Sequence, residues 1–370
     1  MSGIYIHIPF CKQKCSYCDF HFSTSFETYR KQMIDALCKE IRERVDSIKE
    51  TVETIYFGGG TPSILSSEEL EQLLSTIAST TDISKLREVT LEANPDDIQE
   101  KNLSNWKKAG ITRLSIGLQS FKESDLQWMN RAHSVQEAFT CVPLAQSHGF
   151  ENISVDLIYG LPNLTIEEWQ AHTNQVIALN VTHVSAYCLT VEEKTVLHHL
   201  VKQGKLSPAG EDQQAEQFEI LSKTLVEAGY EHYEISNFAK PEKHAIHNSN
   251  YWRGKPYIGI GPSAHSFDGL ERRWNVSNNY TYMKMNASEW FETEELTDKD
   301  RWNELLLTGL RTSWGIDQEK LFNILTPDKG FKSKIDEFVN SGWMTIKNDH
   351  IILLPEGRLK ADHIASELFQ

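Results

Sequence analysis

From residue 4 to about residue 230, short β-branched or apolar runs alternate with longer amphipathic stretches, and this order constrains the fold more than any other feature of the 370-residue chain. The runs Ile4–Ile8, Thr54–Phe57, Glu88–Glu92, Arg113–Ile116, Ile153–Tyr159 and His183–Tyr187 read as strands. Between them, stretches such as Tyr29–Val45, Ser67–Ile77 and Val135–His148 repeat apolar residues at intervals of three and four, the period of a helix with one buried face. Ser66 followed by Glu69, and Thr165 followed by Glu168, are capping-box starts. Six β-α units in succession imply a parallel sheet with right-handed crossovers. The expected class is therefore α/β, as a partial (β/α)6 barrel, with its functional groups at the C-terminal ends of the strands.

The character changes at residue 231. Residues 231–297 are rich in aromatics and histidines and read as irregular sequence, a connecting segment that holds His247-Asn248-Ser249-Asn250-Tyr251-Trp252. From 298 to 370 the pattern is a helix at Asp300–Leu310, a short helix from Asp317, a helix at Lys332–Ser341, a strand pair near Met344–Ile346 and Ile351–Leu354, and a last helix from Pro355. That order predicts a small helical, winged-helix-like domain. The expected division is thus a barrel over 1–230, the connecting segment over 231–297 and the small domain over 298–370.

Charge narrows the partners. A formal net charge of −15 opposes non-specific binding to nucleic acid or to anionic lipid, and the final domain has no basic recognition helix. No apolar tract reaches the roughly eighteen residues of a membrane span, and the first apolar stretch lacks a basic flank, so neither an integral membrane segment nor a signal peptide is expected.

Cys11, Cys15 and Cys18 form a C-x3-C-x2-C triplet directly after the first strand. Three thiolates can hold three irons of a [4Fe–4S] cluster and leave the fourth iron open to a small molecule. S-adenosylmethionine fits that corner through its amino and carboxylate groups, and one-electron reduction of its sulfonium would release a 5′-deoxyadenosyl radical. A zinc site would normally add a second ligand pair, which does not follow downstream. The other cysteines, Cys38, Cys141 and Cys188, read as small buried hydrophobes. An oxygen-sensitive cluster on free thiolates suits a reducing cytoplasm.

Other unusual residues also fall behind strand candidates. Gly58-Gly59-Gly60-Thr61-Pro62 bares backbone for close approach of a ligand. Glu92, Gln119, Arg131 and Asp156 are polar groups expected at or just past strand ends. Carboxylates and amides suit a ribose diol, and the Arg131 cation suits a methionyl carboxylate.

These motifs carry a family resemblance. Tyr5 through Phe20, Phe57 through Pro62, Glu92-Ala93-Asn94-Pro95, Gly117-Leu118-Gln119-Ser120 and Asp156 through Pro162 resemble the radical-SAM family of oxygen-independent coproporphyrinogen oxidases and their relatives, over nearly the whole chain. The resemblance implies that Tyr5, Gly59, Gly60, Thr61, Glu92, Gln119, Arg131 and Asp156 contact S-adenosylmethionine. It also implies that Tyr17, just before the third cysteine, sits where the oxidases touch a second one. The decarboxylating oxidases carry a further cysteine where this chain has Phe20. The His247–Trp252 segment is similar to the H-N-x-x-Y-W motif of the HemW-type heme chaperones. That similarity implies heme binding, with His247 as an iron ligand and Tyr251 and Trp252 as flat apolar surface for the porphyrin. His244 and His265 lie near enough in sequence to be further heme contacts.

The expectation is a cytoplasmic heme chaperone that carries a [4Fe–4S] cluster and S-adenosylmethionine and hands heme to apo-hemoproteins such as respiratory cytochromes. The alternative is a radical enzyme that decarboxylates coproporphyrinogen III, which would need basic partners for the propionates.

Overall fold

A computed structural model describes residues 2–45, 51–284, 289 and 291–370. Six strands run parallel in chain order: β1 (Ser2–Ile8), β2 (Val52–Gly59), β3 (Glu88–Ala93), β4 (Arg113–Gln119), β5 (Asn152–Tyr159) and β6 (His183–Cys188). Helices separate them, as the periodicity predicts, at Arg30–Arg44, Ser67–Thr80, Glu100–Ala109, Val135–Ser147 and Ile166–Ala178, with a short one at Glu123–Trp128. Both predicted capping boxes form, and Ser134 with Glu137 makes another.

The two faces of this sheet differ sharply. In register across the strands, Ile4, Ile55 and Val89 line one face, as do Leu91, Leu114 and Ile153, all buried against the helices. Each such side chain contributes roughly 1.5–3 kcal/mol by leaving water. The opposite face carries Tyr5, Tyr56, Glu92, Ser115, Asp156 and Ser185 in the same register scheme. A barrel interior filled only for stability would be packed with branched aliphatic side chains. This one is polar, which suits a ligand.

Residues 231–297 depart from the expectation of an irregular connector. They supply β7 (Glu231–Glu234), β8 (Asn237–Ala239), β9 (Tyr257–Ile260), β10 (His265–Phe267), β11 (Glu271–Asn275) and β12 (Phe291–Glu295) to the same sheet. The strand order is β12-β11-β10-β9-β1-β2-β3-β4-β5-β6-β8-β7. β9 runs parallel to β1, pairing Tyr5 with Gly259, so the connector closes over one flank of the barrel while β8 and β7 extend the other. Pairing supplied by distant strands, rather than any local pattern, makes these segments extended.

The last stretch builds its own core around Trp302, Leu306, Leu321, Phe331, Phe338 and Ile364. Helices at Asp298–Leu310, Gln318–Ile324, Lys329–Asn340 and Ala361–Glu367 surround a sheet of β13 (Ile316–Asp317), β14 (Met344–Lys347) and β15 (His350–Leu353), the expected helix-and-hairpin order. It is fastened to the end of β7, where Arg311 donates to the buried Glu234 carboxylate at 3.0 Å and Ile235 N–H donates to Arg311 C=O at 3.0 Å. Among the described residues no helix is long and apolar enough to cross a membrane.

Candidate functional site

The cysteine loop leaves β1 at Ile8 and is stapled on all sides. Cys11 N–H donates to Ser23 C=O at 3.1 Å, Ser16 N–H to Met129 C=O at 3.0 Å, and Leu197 N–H to Ser16 C=O at 2.8 Å. Lys12 pairs with Asp96 at 2.6 Å and with Asp97. Cys11 is buried, while Cys15 and Cys18 are half-buried, and all three are free thiols. Burial pushes Cys11 up to about 12 and Cys18 up to about 11, so a metal must displace their protons. Three free thiols on one short loop are the donor set a cubane takes, one to each of three irons, although among the described residues no three His, Cys, Asp or Glu side chains converge as ligands of a single metal ion. Arg131 Nη1 lies 3.5 Å from Cys15 Sγ and Thr61 Oγ1 lies 3.4 Å from Cys11 Sγ, donors suited to sulfur ligands.

The glycine run packs directly against this loop. Gly60 N–H donates to Ile8 C=O at 2.9 Å and Thr61 N–H to Phe10 C=O at 2.7 Å. Gly59 takes φ +106°, and a Cβ there would lie 2.6 Å from the His7 ring. Only glycine admits that approach. Gly59 N–H donates to Glu92 at 3.2 Å, and Tyr56 OH donates to the same carboxylate at 2.7 Å. Burial raises Glu92 to about 7 and Asp156 to about 6, against the opposing pull of Arg113 on both. Arg113 is 1% exposed, and its Nε and Nη1 have no hydrogen-bond partner among the described residues. The sequence pattern does not single it out, because its inward direction depends on strand register.

Gln119 ends β4 at φ +66°, and Asp156 lies mid-strand in β5, accepting from Ser115 at 3.3 Å. Arg131 is not at a strand end. It reaches in from the turn between the Glu123–Trp128 and Val135–Ser147 helices, donating to Asn94 Oδ1 at 2.7 Å and Gly117 C=O at 2.9 Å, with Tyr17 OH 3.5 Å from Nη1. Its Nε has no partner among the described residues. The structure thus joins Arg131 to Cys15 and Tyr17 on the cysteine loop, while Tyr5, Gly59 and Glu92 share a cavity.

The histidine motif lies on the helix Ile246–Trp252, which Glu88 fixes by accepting from the N–H groups of Ile246 and His247 at 2.9 and 3.0 Å. His247 is 1% exposed. Its Nδ1 bonds Thr54 Oγ1 at 2.8 Å and its Nε2 bonds Tyr251 OH at 2.7 Å, so both ring nitrogens are engaged. Burial, with Arg113 nearby, lowers it to about 3 and keeps it neutral. Trp252 is half-buried, its Nε1 has no partner among the described residues, and Arg311 lies over its ring at 5.4 Å. His244 bonds Glu231 at 2.7 Å and stacks on Tyr233.

A cavity of about 640 Å³ opens between the cysteine loop and the β9–β10 turn, of a size for a cofactor or small-molecule ligand. Tyr5, Asp19, Gly59, Glu92, Tyr251 and Tyr257 line it, together with His21 and the exposed Phe20 and His265.

Comparison with known proteins follows this geometry. Residues 5–176 match the Radical SAM superfamily. A Bacillus subtilis (strain 168) protein named heme chaperone HemW is 34% identical, with 98% of each chain covered. The Lactococcus lactis subsp. lactis protein of that name is 35% identical over 92% of this chain and 89% of its own. The chain belongs to the HemW family of radical SAM proteins. Among solved structures, Escherichia coli coproporphyrinogen III oxidase (HemN), described as a radical SAM enzyme, covers all of this chain and 90% of its own with a TM-score of 0.85 at 21% identity, a likeness of fold. Within this HemW-family fold, Phe20 projects at the cavity rim, 65% exposed.

Proposed function

We propose that this HemW-family chain is a cytoplasmic heme chaperone, which binds heme beside a [4Fe–4S] cluster and passes it to apo-hemoproteins such as respiratory cytochromes. The observation that carries this reading is likeness to a protein named heme chaperone HemW along 98% of each chain. The aromatic cavity next to the cysteine loop supports it. Cys11, Cys15 and Cys18 would hold the cluster, whose chemistry when bound would be one-electron reduction of S-adenosylmethionine. Gly59, Gly60 and Thr61 take the methionyl amino group on bare backbone, and Arg131 faces the carboxylate. Tyr5, Glu92, Gln119 and Asp156 line the nucleoside, and Tyr17 offers a face for a second S-adenosylmethionine. The helix carrying His247, Tyr251 and Trp252 walls the heme. In this scheme residues 1–230 carry the cofactors, 231–297 the heme wall and 298–370 a module fastened behind it.

Anaerobic reconstitution tests the reading. The purified chain is expected to bind iron and sulfide through its cysteines, to develop a Soret band with hemin, and to give heme to an apo-cytochrome. A chain that forms no heme complex sinks it. Conversion of coproporphyrinogen III with consumption of S-adenosylmethionine would favour the decarboxylase instead. Equal heme transfer by Cys15→Ala would remove the cluster from the mechanism.

A further inference from the structure

Four histidines gather around the cavity and its tyrosine wall, and their ring nitrogens are not equally available. His7 Nε2 bonds His21 C=O at 2.7 Å and its Nδ1 meets Tyr5 OH at 3.3 Å. His21 Nε2 bonds Asn279 Oδ1 at 2.7 Å and its Nδ1 meets Ser277 Oγ at 3.4 Å. His247 is held at both nitrogens by Thr54 and Tyr251. His265, the first residue of β10, makes no hydrogen bond through its ring among the described residues. It is exposed at the cavity rim, with Trp274 at 6.3 Å as its ring neighbour.

The backbone that presents His265 is tightly held. Ser263, which also lines the cavity, adopts φ +65°, a strained conformation for a residue other than glycine. Gly261 takes φ +104°, and a Cβ there would sit 2.6 Å from His7 C=O. A Cβ on Gly259 would lie 2.0 Å from His265 C=O. Ser263 N–H donates to Val276 C=O at 3.1 Å and Asn275 N–H to Ala264 C=O at 2.9 Å, pinning the turn from below. Strain held by such cross-bonds is a mark of positioning.

The remaining lining is mixed, with aromatic faces beside the polar Asp19, Glu92 and Ser277, so a flat ring would lie against the aromatics and turn any charged edge to solvent. Tyr251 and Tyr257 meet edge to face with centroids 4.5 Å apart, and Phe20 and Phe22 come from the residues just after Cys18. Phe20, at 65% exposed, is a large apolar side chain without cover. An imidazole whose ring nitrogens have no hydrogen-bond partner among the described residues leaves a lone pair to give a metal.

We infer that His265 is the axial ligand of the bound heme, the porphyrin lying in this cavity against Phe20, Tyr251 and Tyr257, and that His247 acts as a positioning residue which holds Tyr251 in the wall. This rests on the heme-binding reading above. Coordination transfers no proton: the neutral imidazole donates its lone pair to iron and releases nothing.

The test is hemin titration of the full chain before cluster reconstitution, read by the Soret band and by electron paramagnetic resonance of the ferric heme. His265→Ala is expected to weaken binding about tenfold or more and to lose the imidazole signature, which free imidazole then restores. His247→Gln is expected to keep the imidazole signature even if affinity drops. Loss of the signature in His247→Gln with its retention in His265→Ala overturns the ligand assignment. So does an unchanged spectrum in His265→Ala. Failure of the unmodified chain to bind hemin refutes the heme reading itself, a result distinct from either. Matching circular dichroism of each variant with the parent excludes misfolding.

Discussion

Gly60 shows how tightly the glycine run and the cysteine loop interlock. A Cβ there would lie 2.5 Å from Phe10 C=O and 2.8 Å from Ile8 C=O, backbone atoms that cannot swing aside. Gly60→Ala is expected to cost roughly 1–3 kcal/mol through overpacking and to lower the iron bound per chain after reconstitution; full iron loading at an unshifted urea midpoint would contradict this. His247 links stability to pH. Its folded pKa of about 3 lies below the usual 6.5, so between those values the unfolded chain binds more protons. Its contribution is fully present above pH 6.5 and declines as the pH falls towards 3. His247→Gln should be less stable at neutral pH by about 1–3 kcal/mol, since Thr54 and Tyr251 lose a partner of the right shape. Its loss of stability on acidification should nevertheless be shallower, as urea midpoints across the pH range would show.

At the scale of elements, the helix Val135–Ser147 begins on the Ser134–Glu137 capping box directly after the turn that carries Arg131. Ser134→Ala is expected to cost about 1 kcal/mol and to loosen Arg131, measurable as a lower denaturation midpoint together with weaker S-adenosylmethionine binding. An unchanged midpoint would show that the cap is redundant. β1 to β6 were legible from sequence to within a few residues because each is a strong local pattern of β-branched and apolar side chains. β7 to β12 were not. They are three to five residues long, and β11 reads Glu-Arg-Arg-Trp-Asn, so nothing but pairing with distant strands makes them extended. The same division holds in the candidate site. Cys11, Cys15 and Cys18 and the Gly58–Gly60 run declare themselves by spacing alone. The inward aim of Arg113, the reach of Arg131 from a helix turn and the open ring of His265 depend on register and on chain folded back from far away.

For the whole molecule, the proposed heme cavity shares Tyr5, Gly59 and Glu92 with the residues proposed for S-adenosylmethionine. Two guests that claim the same wall must weaken each other, and the weakening is reciprocal. Hemin affinity of the reconstituted chain is therefore expected to fall on addition of S-adenosylmethionine, and S-adenosylmethionine affinity to fall equally on addition of hemin. Titrations that leave both constants unchanged would separate the two sites. The placement of β1 between β2 and β9 also has a consequence for biosynthesis. The cysteine loop emerges from the ribosome early, yet one neighbour of its parent strand, Tyr257–Ile260, is translated some two hundred and fifty residues afterwards. Until then the nascent sheet keeps an unpaired edge beside the cysteine loop, and a chain cut short before Tyr257 is expected to expose that edge to aggregation.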